Sequence, residues 1–259
     1  MQRRDFLIFA AASGLLSGTA APVAGTALSL PVAINKSGRL RMLSLRGAKA
    51  WLLLVQGVLP DRAKSILAQS LASFEQILGE LKTLQPGDDI RGLAQTLDQE
   101  WRAYRPLLAD VRADPKAVWT HSEAVLAAAQ ALTVAYEKAA GTSSGKLVNL
   151  SGRQRMLSQR MAKAYLFRQM GVNTAEAGSM LDAAMKEFAK AHDDLKAAPQ
   201  STAQIKSELA LVEQQWFFFQ NALQLRAPAD RVKAASDVAT TSERILEQMD
   251  LVVALYERL

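Results

Sequence analysis

The sequence predicts an all-α protein made of two tandem antiparallel four-helix bundles related by internal duplication, a pseudo-dimer within one chain. Three observations predict it. Ile34 to Leu53 reads INKSGRLRMLSLRGAKAWLL and Val148 to Phe167 reads VNLSGRQRMLSQRMAKAYLF, with thirteen of twenty positions identical at an offset of 114 residues. Gly, Pro and aromatic residues are sparse while good helix formers dominate, and no useful stretch alternates with period two. Finally, Pro, Gly, Asp and Asn clusters divide each copy into four segments of helical length.

In the first copy, helix one runs from about Ala33 to Gly57, and Pro60-Asp61 starts helix two. Leu67, Leu71, Phe74, Leu78 and Leu81 recur at spacings of three and four, the buried stripe of an amphipathic helix. Gln85-Pro86-Gly87-Asp88 breaks to helix three, and Asp114-Pro115 opens helix four with Pro at its first position. Gly141-Thr-Ser-Ser-Gly145 reads as the flexible linker between copies. In the second copy, Asn173 and Thr174 open helix two, Ser201 with Gln204 forms a capping box for helix three, and Pro228-Ala-Asp230 opens the last. The copies stay aligned beyond the motif: Phe74 matches Phe188, Trp101 matches Trp216, and Glu123…Tyr136-Glu137 parallels Glu243…Tyr256-Glu257. A repeat of roughly 110 residues results. The expected divisions are 1–27 as a signal peptide, 28–140 as the first unit, 141–147 as linker and 148–259 as the second unit.

The N-terminus is better explained by targeting than by fold. Arg3-Arg4-Asp5-Phe6-Leu7 precedes a short apolar run to Leu16 and small residues around Ala20 to Ala27, which resembles a twin-arginine export signal cleaved after Ala24 or Ala27. The run is too short and too broken by Gly14, Ser17 and Gly18 to span a bilayer. The expectation is a periplasmic protein whose mature form has no membrane span. With no cysteine, disulfides, thiolate metal sites and Cys nucleophiles are excluded. A net charge of +6 demands no nucleic-acid partner.

The repeated motif duplicates polar detail, which a core helix has no need to repeat. On a helix, Ile34, Gly38, Arg41, Leu45, Ala48 and Leu52 share one face, and Val148, Gly152, Arg155, Gln159, Ala162 and Leu166 share the matching one. Each face carries one Arg amid apolar residues and a Gly that permits close helix approach. A buried Arg needs a counter-charge, either a carboxylate on another helix or a bound anion, since neither motif contains Asp or Glu. If the two first helices pack together, Arg41 and Arg155 meet across the seam, where guanidinium groups about 5 Å apart repel by roughly 3 kcal/mol. A small oxyanion between them reverses the sign.

The pattern Asn-x-x-Gly-x-x-Arg-Met-x-Ser-x-Arg in INKSGRLRMLSLR resembles the nitrate/nitrite-sensing motif in the periplasmic domains of NarX/NarQ-type sensor kinases. NLSGRQRMLSQRMAKAYL is similar to the related N-terminal domain of PilJ-type chemotaxis transducers. The resemblance implies a sensing domain in which paired arginines, here Arg41 and Arg155, grip one nitrate at a dimer interface. Gly38 and Gly152 match positions around that pocket, with Lys36 in the first copy only because Leu150 replaces it in the second. Arg39 and Arg153 stand where the closest sensors carry a small residue. Such sensors continue through a membrane helix into signalling domains. This chain is expected to have neither, and so to act as a free periplasmic binding protein, with nitrate or nitrite as ligand and a membrane sensor or transporter as partner. The alternative is an interaction module that docks on a receptor, transporter or pilus component without a small ligand.

Other chemistry is not supported. His121 and His192 lie apart without metal-ligand spacing and read as solvated surface. Ser44 and Ser158 have no base beside them, and no phosphate loop or HExxH helix occurs, so neither an enzyme nor a cofactor is expected. The block Trp216-Phe217-Phe218-Phe219 reads as core and interhelical contact, as do Trp51 and Tyr165. Arg39, Arg46, Arg153 and Arg160 read as partners of carboxylates on neighbouring helices.

Overall fold

A computed structural model describes residues 29–83, 87–224 and 230–259. The expected signal peptide, Pro86 and Pro228 lie outside the described residues. Those residues form eight helices and no strand: α1 (Leu30–Val55), α2 (Pro60–Thr83), α3 (Asp88–Ala109), α4 (Pro115–Ala140), α5 (Ser143–Met170), α6 (Thr174–Ala197), α7 (Ala203–Gln224) and α8 (Arg231–Glu257). No helix among them is long and apolar enough to cross a membrane.

Local chemistry sets the boundaries. Asp114 caps α4 by accepting from the Lys116 amide at 3.0 Å, and Pro115 follows at the first helical position. Gly57, Gly141 and Gly171 end their helices at φ of 66°, 61° and 78°, in the left-handed region where a side chain is strained. Two boundary expectations need correction. The linker is only Gly141 and Thr142, because Thr142 accepts from the Gly145 amide at 3.1 Å and α5 is already helical from Ser143. The Ser201/Gln204 capping box does not form. Ser201 instead donates to Leu195 O at 2.6 Å, and Thr202 caps α7 by accepting from the Ile205 amide.

α1 packs on α2 and α4, α4 on α3, and α5 to α8 repeat that arrangement. The most extensive interface of all is α1 against α5, which sets the two units side by side. These helices run parallel. Gly145 lies against Ile34 near their N-terminal ends, and Gln56 donates to Leu166 O near their C-terminal ends. α1 also touches α8, and α4 touches α5, so each last helix flanks the seam.

α1 and α5 are therefore buried on nearly every side rather than on one stripe. From Leu40 to Leu53 every residue except Arg46 is buried, and from Gln154 to Phe167 every residue except Arg160. Outer helices are amphipathic as expected, with Phe74 stacked on Trp101 at 3.7 Å and Phe188 on Trp216 at 4.4 Å in matching places. The aromatic block of α7 splits. Trp216 and Phe219 enter the core, whereas Phe217 and Phe218 are 62% and 58% exposed, because four consecutive helical residues cannot share one face. His192 is likewise not surface: it is buried and stacked over Phe188, and burial lowers its pKa.

Candidate functional site

The seam holds two layers of polar residues, and both use the duplicated motif. Nearer the C-terminal ends of α1 and α5, Lys49 and Arg46 reach across to Glu243 on α8, at 2.6 Å each. Their counterparts Lys163 and Arg160 reach across to Glu123 on α4, at 2.5 and 2.7 Å. Ser242 and Ser122 accept from the two lysines, and Lys163 also lies over the Trp119 ring. Burial lowers each lysine to about 8 despite its carboxylate. Burial also acts to raise Glu243, but Lys49 and Arg46 outweigh it and hold the carboxyl at about 2. Every charge in this layer is answered from the other unit. Arg46 and Arg160 thus meet carboxylates on neighbouring helices, as their sequence context led one to expect.

Nearer the N-terminal ends lie Arg41 and Arg155, 0% and 1% exposed. A helical side chain leans toward its helix N-terminus. Each Arg accordingly reaches back across the seam: Arg41 Nη2 donates to Asn149 Oδ1 at 2.8 Å, and Arg155 Nη2 to Asn35 Oδ1 at 2.7 Å. Asn149 donates in turn to Glu137, and Asn35 to Glu257. Each Nη1 meets the last helix of its own unit, Arg41 donating to Gln130 Oε1 at 2.5 Å and Arg155 to Asp250 Oδ1 at 2.6 Å. Neither Nε has a partner. Burial lowers the pKa of both, and for Arg41 burial together with the neighbouring Arg153 and Arg155 brings it to about 9. Arg41 remains charged at neutral pH. Its direct partners are both neutral.

The motif glycines serve these guanidinium groups. A Cβ on Gly38 would stand 3.0 Å from Arg41 Nη2, and one on Gly152 would stand 3.2 Å from Arg155 Nη2 and 3.7 Å from Arg41 Nη2. The glycines make room for arginine heads as well as for helix approach. Arg39 and Arg153 flank the pair: Arg39 lies 3.4 Å from Asp250, while Arg153 donates to Gln130 at 3.2 Å and pairs with Glu187. Lys36 is not brought to the arginines; it pairs with Glu80 on α2. Ser44 and Ser158 donate to Arg41 O and Arg155 O one turn back, at 2.9 and 2.8 Å.

Sequence reasoning missed Asn35, Asn149, Gln130 and Asp250 as partners, and Lys49, Lys163, Glu123 and Glu243 as the second layer. A signal existed. Asn35/Asn149 and Lys49/Lys163 repeat at 114, and Ser122-Glu123/Ser242-Glu243 and Glu137/Glu257 repeat at 120, each time as polar residues in otherwise apolar helices. Among the described residues no group of His, Asp and Glu is placed to hold a metal.

The geometry is that of two copies of one four-helix unit packed side by side, and a family profile agrees on the duplication. The profile described as type IV pili methyl-accepting chemotaxis transducer N-term (PilJ) matches residues 26–137 and again 139–245. The chain belongs to the PilJ family. It carries two tandem PilJ domains, and the boundary between matches falls at Lys138, in the last turn of α4. No curated protein and no solved structure matches the chain. PilJ membership places the protein among sensing and chemotaxis-transducer modules, a family without catalytic function.

Proposed function

We propose that the protein is a periplasmic binding or sensing module for a small oxyanion, nitrate or nitrite, held at the seam where Arg41 and Arg155 converge. Arg41 carries the reading: a fully buried guanidinium whose side-chain partners, Gln130 and Asn149, are neutral. An oxyanion adds a charge-assisted acceptor where now only amide oxygens serve. Arg153 beside it raises the local positive charge. The parallel α1–α5 pair reproduces within one chain the dimer seam that the resemblance implies. Twin-arginine export supplies the compartment, and a membrane-associated chemotaxis or pilus component is the partner that family membership favours.

The test is thermal shift with sodium nitrate, nitrite, sulfate and chloride at matched ionic strength, on the wild type and on Arg41→Ala/Arg155→Ala shown to be folded by circular dichroism. Stabilisation by an oxyanion but not chloride, lost in the double variant, supports the reading. Absence of any oxyanion shift, or an equal shift in the variant, sinks it.

A docking module is the second reading, and the exposed Phe217/Phe218 pair on α7 favours it. Retention of the protein by a membrane fraction, abolished by Phe217→Ala/Phe218→Ala and indifferent to nitrate, would support docking without a ligand.

A further inference from the structure

The pseudo-twofold axis between α1 and α5 matches Arg41 with Arg155, Arg153 with Arg39, Asn149 with Asn35 and Glu137 with Glu257. At the point where two arginines converge in each half, it matches a carboxamide with a carboxylate. Gln130 Oε1 receives Arg41 and Arg153, whereas the Asp250 carboxylate receives Arg155 and lies beside Arg39. The first half does have a carboxylate of its own, Glu187, where the second half has Ser73, but Glu187 pairs with Arg153 at the rim and not with Arg41. One half thus carries its anion at the centre of the arginine pair. The other carries it outside.

We propose that the protein has a single oxyanion site, on the Gln130 side of the seam, and that Asp250 is a built-in anion that closes the equivalent place on the other side. This rests on the oxyanion reading above and adds to it the location, the stoichiometry and the residue that sets both.

Two physical points favour this half. Displacing a neutral carboxamide oxygen by an oxyanion oxygen gains attraction to both arginines, whereas displacing Asp250 exchanges one anion for another. The charge around the entrance differs in the same sense. Gln130 and Arg153 line a surface groove of 200 Å³ together with Glu123, Ala127, Met156 and Arg160. Gln130 can swing into it, and its wall carries two arginines, Arg153 and Arg160, against one carboxylate, Glu123. At the pseudo-equivalent position Glu247 replaces Ala127, so an approaching anion there meets a second carboxylate. Gln130 is then a placeholder: its amide satisfies both arginines until an anion replaces it.

The test is isothermal titration of the full chain with sodium nitrate and, separately, sodium sulfate, for the wild type, Gln130→Glu and Asp250→Asn, with thermal midpoints recorded without added oxyanion. The wild type should bind one oxyanion. Gln130→Glu, nearly isosteric, should weaken binding by about tenfold or more and raise the anion-free midpoint by about 2–4 °C, because it supplies the carboxylate Arg41 lacks. Asp250→Asn should open a second site and raise the stoichiometry to two. Binding that survives Gln130→Glu but disappears in Asp250→Asn overturns the assignment while leaving the oxyanion reading intact. Two sites in the wild type overturn the asymmetry alone. A wild type that binds neither probe overturns both.

Discussion

The two polar layers of the seam differ in a way that separates holding the units together from binding. In the lysine layer, symmetry is kept residue for residue: Lys49, Arg46 and Glu243 on one side, Lys163, Arg160 and Glu123 on the other, each carboxylate bound by two cations of the other unit. In the arginine layer the cations are kept, but their acceptors diverge to Gln130 and Asp250. A duplication needs both halves of its interface wherever the interface holds the fold. It is free to diverge where one copy of a function suffices. The lysine layer is thus the structural clamp and the arginine layer the place where the halves have specialised.

The largest effect should come from breaking the clamp. Glu243→Ala leaves the fully buried Lys49 and the half-buried Arg46 without a carboxylate and should cost about 3–5 kcal/mol in urea unfolding, the range for removing one partner of a buried ion pair. Glu123→Ala should cost about half as much, because the Glu123 side chain is 28% exposed against 5% for Glu243, so water reaches the cations left behind. Equal losses in the two variants, or a larger one at Glu123, would break the link between burial and clamp strength.

The same clamp should weaken in acid. Glu243 titrates at about 2 in the folded protein against an ordinary 4.5, so its stabilisation is present above the unfolded value and is lost as pH falls from 4.5 toward 2. The loss should be on the order of 2–3 kcal/mol over that window. Glu243→Gln should flatten the dependence of stability on pH there. An unchanged slope in that variant would assign the acid transition to other carboxylates.

Much of this was legible in the sequence, and the part that was not has a definite cause. The duplication, the eight-helix count and the prominence of Arg41 and Arg155 follow from repeats and punctuation at fixed offsets. Their partners come from α4 and α8 and from the opposite member of the α1–α5 pair, about 90 to 120 residues away in the chain. Helical periodicity predicts which residues share a face, but not what faces them. The sequence pattern therefore did not show that Lys36, which the family resemblance set beside Arg41, turns toward α2 and Glu80. It also placed His192 in solvent because Asp193 and Asp194 follow it, yet the helix turns its ring inward onto Phe188 while Asp193 and Asp194 stay exposed.

A smaller effect distinguishes the halves of the arginine layer. Asn149→Ala deprives Arg41 of its cross-seam acceptor and leaves it only Gln130, whereas Asn35→Ala leaves Arg155 its Asp250 carboxylate. The first should cost about 2–3 kcal/mol and the second about 1 kcal/mol, by the difference between stranding a buried charge and removing one of its hydrogen bonds. Saturating sodium nitrate should shrink the first loss and leave the second, if the oxyanion replaces what Arg41 lacks.

The smallest effect lies off the seam, where the copies also diverge. Phe217 and Phe218 of α7 stand where α3 has Arg102 and Ala103, while Trp101/Trp216 and Tyr104/Phe219 on either side remain buried in both. The helix register shows that the two exposed rings contribute nothing to the core, so Phe217→Arg/Phe218→Ala, which restores the first-copy residues, should change stability by less than about 0.5 kcal/mol. It should also leave nitrate stabilisation untouched. A loss above about 1 kcal/mol would mean the rings pack on a neighbour in solution, and divergence outside the seam would then carry structure as well as surface chemistry.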